Sequence, residues 1–199
     1  MSKLYFRYGA MNSGKSTALL QVAHNYEERD QNVLVAKPQL DVRGGDSVIS
    51  RLGMSRKVDF LVPASDDLRA RFAIERTARK TATGRDVACL LIDESQFLTR
   101  AQVDQALEIA VLDGIPVLAY GIRTDFQTVS FPGSLRLFEI AHSIEELKTV
   151  CRCGRKAIFN ARIDNGAFVF EGSQVALDGI ETNYESLCAG CYLRERSRK

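Results

Sequence analysis

The chain has 199 residues and a mass of 22.1 kDa, room for one α/β domain of ordinary size and a small appendage. With 45% hydrophobic and 26% charged residues it falls outside the disordered, coiled-coil and collagen-like classes. Lys plus Arg total 27 against 25 Asp plus Glu, a formal charge of +2, too small for a broad face that grips duplex nucleic acid; no specific nucleic-acid partner is expected, and any anion must be held locally.

The first residues, Met1 to Tyr8, are interrupted by Arg7 and then by a glycine-rich turn, so they lack the apolar core of a signal peptide, and a cytoplasmic location is expected. Leu4 to Tyr8 reads as a strand ending at Gly9, followed by a helix from about Lys15 to Arg29. Val33 to Ala36, Val87 to Ile92 and Ile115 to Tyr120 are short apolar runs that fit strands covered on both faces. Between Lys37 and Asp59, glycines, serines and arginines follow no period, which predicts a mobile or partly extended segment, disordered without ligand. Ala64 to Lys80 is helical in pattern, and Thr99-Arg100-Ala101-Gln102 looks like a capping box opening a helix that stops near Gly114. The longest apolar run, Gly114 to Ile122, is far short of the ~18 residues of a membrane span, so no membrane partner is expected. The expected fold is a phosphate-loop-type α/β domain over residues 1–150, an open parallel sheet flanked by helices.

From Cys151 the text changes. Ala157 to Ile163 and Ala167 to Phe170 flank Asp164-Asn165-Gly166, a strong hairpin signal, so residues 151–193 read as a small β lobe and 194–199 as a solvated basic tail. Five cysteines are present: Cys89 lies in an apolar run, and the rest form two pairs, Cys151/Cys153 and Cys188/Cys191. Four thiolates suit tetrahedral Zn²⁺, although the first pair has one intervening residue where two are usual, and a disulfide or reduced-thiol state stays open. His24 and His142 have no partner at ligand spacing and are assigned no role.

Two motifs carry chemistry. Gly9-Ala10-Met11-Asn12-Ser13-Gly14-Lys15-Ser16 fits G-x-x-x-x-G-K-[ST] between a strand and a helix, so its backbone amides should cradle phosphates. Lys15 would reach the β and γ phosphates, and Ser16 or Thr17 would offer a hydroxyl to Mg²⁺. At the end of an apolar strand, Asp93 is expected to hold Mg²⁺, while Glu94, on the other side of an extended chain, is free to act as a base.

Together with Asp41-Val42-Arg43, Asp93-Glu94-Ser95-Gln96-Phe97, the stretch from Tyr120 to Phe126 and the cysteine pairs, these motifs make the chain resemble the type II thymidine kinase family over nearly its whole length. The resemblance implies transfer of the γ-phosphate of ATP to the 5′-hydroxyl of thymidine or deoxyuridine, with Glu94 as catalytic base, Lys15 and Arg43 assisting the transfer, and Asp41 joining Ser16 and Asp93 around Mg²⁺. It extends the nucleotide contacts through Ser95 and Gln96. It places Met11, Phe97, Ile122, Phe126 and Phe131 around the thymine ring, with Tyr184 and the backbone from Leu177 to Gly179 closing over it and loosening if the zinc is removed, while the phosphate loop survives. It also implies a homotetramer inhibited by dTTP. Plain core packing stays open for Phe97, Phe126 and Phe131. Two other functions use the same residues: an ATPase acting on a macromolecular partner, with Glu94 orienting water, or a zinc-ribbon nucleic-acid module.

Overall fold

A computed structural model describes residues 1–39, 45–174 and 182–198. In chain order, β1 (Leu4–Tyr8) and α1 (Lys15–Glu27) are followed by β2 (Asn32–Pro38), a hairpin of β3 (Ser47–Ile49) and β4 (Ser55–Lys57), then β5 (Phe60–Val62), α2 (Leu68–Thr83) and β6 (Val87–Ile92). A single 3₁₀ turn over Ser95–Phe97 leads to α3 (Arg100–Val111), β7 (Val117–Gly121), α4 (Pro132–Ile140) and β8 (Ser143–Glu146). Six strands form one sheet in the order β5-β2-β6-β7-β1-β8, and every neighbouring pair is parallel.

Alternation along the strands explains why both faces are buried. Val33 and Val35 of β2, with Leu91 of β6 and Leu118 of β7, pack on Leu19, Leu20 and Ala23 of α1. Leu34, Ala36, Leu90 and Ile92 point the other way, onto Phe72 of α2, Val103 and Ala106 of α3, and Leu137 of α4. The expected open parallel sheet is therefore present. The Thr99 box also forms with both of its bonds: Thr99 Oγ1 accepts from the Gln102 amide and Gln102 Oε1 accepts from the Thr99 amide. Helix α2 starts at Leu68, later than Ala64, because Pro63 to Asp66 make a turn and the Asp67 side chain caps the Ala70 amide.

The expectation of disorder between Lys37 and Asp59 is corrected over the described part of it, where the partly extended alternative holds. Ser47, Val48 and Ile49 pair antiparallel with Lys57, Arg56 and Ser55. Val48 is buried against the α1 face of the sheet, and Asp59, behind the hairpin, accepts from the Val35 amide and pairs with Arg56 and Arg79. Asp41 and Arg43 lie outside the described residues.

Beyond the sheet, β9 (Thr149–Val150) and β10 (Lys156–Ala157) form a short antiparallel pair, and β11 (Phe159–Asp164), β12 (Ala167–Val169) and β13 (Thr182–Leu187) form a second sheet in the order β12-β11-β13, closed by α5 (Ala189–Ser197). Asn165 and Gly166 turn the β11–β12 hairpin with φ of 48° and 83°, both left-handed, which is what the Asn-Gly signal selects. Arg194 to Ser197, expected as a frayed tail, continue α5, because Tyr192 anchors that helix in the lobe's core with Ala157, Ala161 and Leu187.

Candidate functional site

The phosphate-loop segment leaves β1 at the carboxyl end of the sheet, where the Gly9 amide donates to Gly121 O at the end of β7 (3.2 Å). Only glycine fits at position 9: a Cβ there would sit 2.3 Å from Ser13 Oγ and 2.4 Å from Leu147 O. Gly14, at φ 79°, enters α1 with no side-chain cap, which leaves the first amides of the helix and its partial positive charge for an anion. Lys15 Nζ folds back onto Ala10 O (3.0 Å) and Gly9 O (3.2 Å). Burial pushes the Lys15 ammonium below its ordinary pKa, the charges of Glu94 and Asp93 oppose that shift, and Arg51 adds to it. Two cations and two carboxylates thus converge here. Among the described residues, Ser13 Oγ and Ser95 Oγ are buried without a hydrogen-bond partner.

Asp93 follows β6 directly, its amide donating to Ala36 O, and is 4% exposed. Desolvation, and next the charge of Glu94, raise its carboxyl from the ordinary 3.8 to about 7. Glu94 is not held apart from Asp93 by strand alternation as expected: at φ 50° and ψ 37° it is a left-handed residue that turns the chain into the 3₁₀ turn. Its Oε2 accepts from Gln96 Nε2 (2.5 Å), and Gln96, 1% exposed, is oriented by the Ile122 amide donating to its Oε1 (3.2 Å). Glycines press on this turn from behind: a Cβ at Gly121 would lie 2.7 Å from Ser95 Oγ and one at Gly133 2.6 Å from Ser95 O.

The raised Asp93 carboxyl has a consequence for stability. Its folded pKa lies above the unfolded one, so the ionised group opposes folding, fully above about 7 and not at all below the ordinary 3.8. Asp93→Asn is expected to raise the Tm of the ligand-free protein at pH 8, with a gain that shrinks as pH falls through 7 and vanishes near 4. Thermal unfolding of both proteins from pH 4 to 9 checks this; a gain independent of pH would contradict it.

A cleft of about 740 Å³ opens over these groups, lined by Met11, Lys15, Ser16, Thr17, Glu94 and Ile122 among others. Its far wall is the hairpin tip, Ile49, Ser50, Arg51 and Leu52. No periodicity in the sequence marked those four residues. Phe97 and Phe131 meet edge to face at 5.3 Å, and Phe126 is buried beneath the Arg162 guanidinium at 5.2 Å; none of the three is among the described lining residues of the cleft. Tyr184 lies on β13 opposite Arg162. Leu177 and Gly179 lie outside the described residues.

In the lobe, one sulfur from each of Cys151, Cys153, Cys188 and Cys191 lies within 4.8 Å of the other three. Tetrahedral zinc, at about 2.3 Å from each thiolate, would set the sulfurs about 3.8 Å apart, and Cys153 and Cys188 are already at 3.6 Å. All four are free thiols, which leaves the disulfide reading without support. Cys151 N donates to Arg155 O and Gly154 N to Cys151 O, so a tight turn at Gly154, φ 81°, supplies the first pair. Cys188 caps α5 and its thiol is held at about 6, chiefly by the backbone amide of Cys191. The donor set and its geometry fit a tetrahedral metal.

Two residues that the sequence did not single out join the lobe to the phosphate loop. Asn160 Oδ1 accepts from the Met11 amide (2.7 Å), and Ser186 Oγ donates to Met11 O (2.5 Å). Tyr192 Oη separately ties the lobe to the connection between β7 and α4, donating to Phe126 O (2.6 Å).

Comparison with known proteins agrees with this arrangement. A family model described as thymidine kinase matches residues 2–192. The thymidine kinase of Idiomarina loihiensis is 45% identical over 190 residues, covering 94% of this chain and 94% of its own. That of Legionella pneumophila strain Paris is 46% identical over 201 residues, covering 100% of this chain and 93% of its own. That of Chromobacterium violaceum is 43% identical, covering 96% of this chain and 98% of its own. With a family match over almost its full length and relatives of this identity, the chain belongs to the thymidine kinase family.

Proposed function

We propose that the protein transfers the γ-phosphate of ATP to the 5′-hydroxyl of thymidine, and of deoxyuridine, in nucleotide salvage. The observation that carries this reading is the convergence of Lys15, Ser16 and Glu94 on one cleft, with Asp93 beside it, in a chain of this family. Phosphate oxygens would take the loop amides and the Lys15 ammonium away from the Gly9 and Ala10 carbonyls. Mg²⁺, held by Ser16 and Asp93 with Asp41, would neutralise the β and γ oxygens. Glu94 would accept the proton of the 5′-hydroxyl as its oxygen bonds to the γ phosphorus and the bond to the β-bridging oxygen breaks, leaving ADP. Arg43 would stabilise the transferring phosphate.

Met11 and Ile122 on the cleft wall support a nucleoside side there, with Phe97, Phe126 and Phe131 as the packing behind it. Tyr184 and the backbone from Leu177 to Gly179 would close over the base. The cysteine cluster supports a structural Zn²⁺. No described helix is long and apolar enough to cross a membrane, in keeping with a cytoplasmic enzyme, which the family resemblance would make a homotetramer inhibited by dTTP.

A nucleoside panel with ATP and Mg²⁺ tests the reading. Thymidine and deoxyuridine should be phosphorylated, since the 5-methyl in an apolar pocket is worth only ~1 kcal/mol. Deoxycytidine should be poorer by on the order of 10²-fold in kcat/KM, because a backbone that pairs with the N3 donor of thymine meets an acceptor instead. ADP release that ignores added nucleoside would point to the ATPase reading.

A further inference from the structure

We infer that Asn160 and Ser186 are positioning residues for the phosphate loop, making nucleotide binding depend on the cysteine-cluster lobe. They are direct cross-strand partners in the β11–β13 pair. From that one register position they reach both polar backbone atoms of a single residue: the Met11 amide donates to Asn160 Oδ1 at 2.7 Å, and the Met11 carbonyl accepts from Ser186 Oγ at 2.5 Å. Asn160 is 3% and Ser186 6% exposed, so the lobe's side of each bond is buried, against a Met11 that is itself half-buried. The other end of the Asn160 amide, Nδ2, reaches Thr124 O at 3.4 Å, which fixes which way the side chain faces.

Holding the amide and the carbonyl of one residue fixes the peptide planes on both sides of it. In this loop that matters twice. The neighbouring amides bind phosphate only if their planes are turned inward, and the Met11 side chain lines the cleft at the place its backbone dictates. The Met11 amide itself is already committed to Asn160 and is not a phosphate ligand. Ser186 stands two residues before Cys188, and β11 follows the Cys151–Cys153 turn through β10, so both grips hang from the metal cluster.

The inference rests on the kinase reading only in taking ATP as the ligand. Its test is equilibrium binding of a fluorescent ATP analogue to the full-length, metal-loaded protein, with KM and kcat for both substrates alongside. Asn160→Ala should weaken nucleotide binding roughly tenfold by leaving a buried amide unpaired, and the double variant with Ser186→Ala should weaken it further, with metal content unchanged and kcat at saturating ATP altered less than KM. Ser186→Thr keeps the hydroxyl that donates to Met11 O and should hold affinity within about threefold of wild type where Ser186→Ala does not, a difference that a general loss of folding would not give. Should Asn160→Ala fail to fold, Ser186→Ala beside Ser186→Thr carries the same comparison. Removing the metal should weaken ATP binding in the wild type and add little in the double variant. Unchanged ATP affinity in the double variant, or in metal-free wild type, overturns the inference. Loss of ATP affinity in a protein that phosphorylates no nucleoside would instead leave it standing and remove the kinase reading.

Discussion

Glu94→Gln is expected to lower turnover by ~10²–10⁴ while ATP affinity stays within a few-fold of wild type. The substitution keeps the length of the side chain and leaves an oxygen to accept from Gln96 Nε2, so the left-handed turn at φ 50° has no new reason to move. What it removes is the ability to take a proton. On the proposed reading phosphate binding would belong to the loop amides and Lys15, which the substitution does not touch beyond removing one favourable charge from beside the ammonium. Steady-state kinetics with thymidine, set beside direct ATP binding, separate the two effects. Near-normal turnover would remove Glu94 from the mechanism.

The second large effect concerns the lobe. Freshly purified, reduced protein should carry about one Zn²⁺ per chain, and Cys188→Ser should lose it. Structural zinc contributes ~10–16 kcal/mol of apparent binding free energy that becomes folding energy where the apo site is unstructured. The lobe has little to replace it: its apolar cluster is a handful of residues and includes Cys151, Cys188 and Cys191 themselves. Residues beyond about 150 should become open to protease, and thymidine binding should fall. The sequence alone suggested that the phosphate loop would survive this loss, but the grip of Asn160 and Ser186 on Met11 leads us to expect weaker ATP binding as well. Metal analysis and limited proteolysis decide the matter; a zinc-free, reduced protein with a protease-resistant lobe would sink the assignment.

Features set by neighbours in sequence were legible beforehand. The strand Leu4–Tyr8, the apolar run Val87–Ile92, the capping box at Thr99 and the Asn-Gly turn each depend on a few consecutive residues, and all are present. The hairpin β3–β4 was not legible, because strands of three residues with mostly polar side chains are held by Val48 packing against α1, a tertiary fact. The same holds for α5, whose mean character is polar and whose order comes from Tyr192. At the site, the phosphate-loop and Asp93-Glu94 motifs were readable as spacings. That Glu94 sits in a left-handed turn, that Arg51 faces Lys15, and that Asn160 reaches back 149 positions to Met11 were not, since no local pattern encodes any of them.

The placement of β1 also orders events during synthesis. It precedes every other described strand in the chain, yet in the sheet it lies between β7 and β8, with Leu4 paired to Val117 and Tyr5 to Ser143. Neither neighbour exists until translation has reached Val117, and Met11 waits longer still for Asn160 and Ser186. Ribosomes add ~5–20 residues per second, so the β1 segment spends seconds with its apolar residues without their strand partners. The phosphate-loop cleft is therefore completed late, although its signature motif precedes most of the residues that shape it. Nascent fragments carry the phosphate-loop sequence without the architecture that shapes it, so a ligand of that loop would favour folding only once Asn160 and Ser186 have been made.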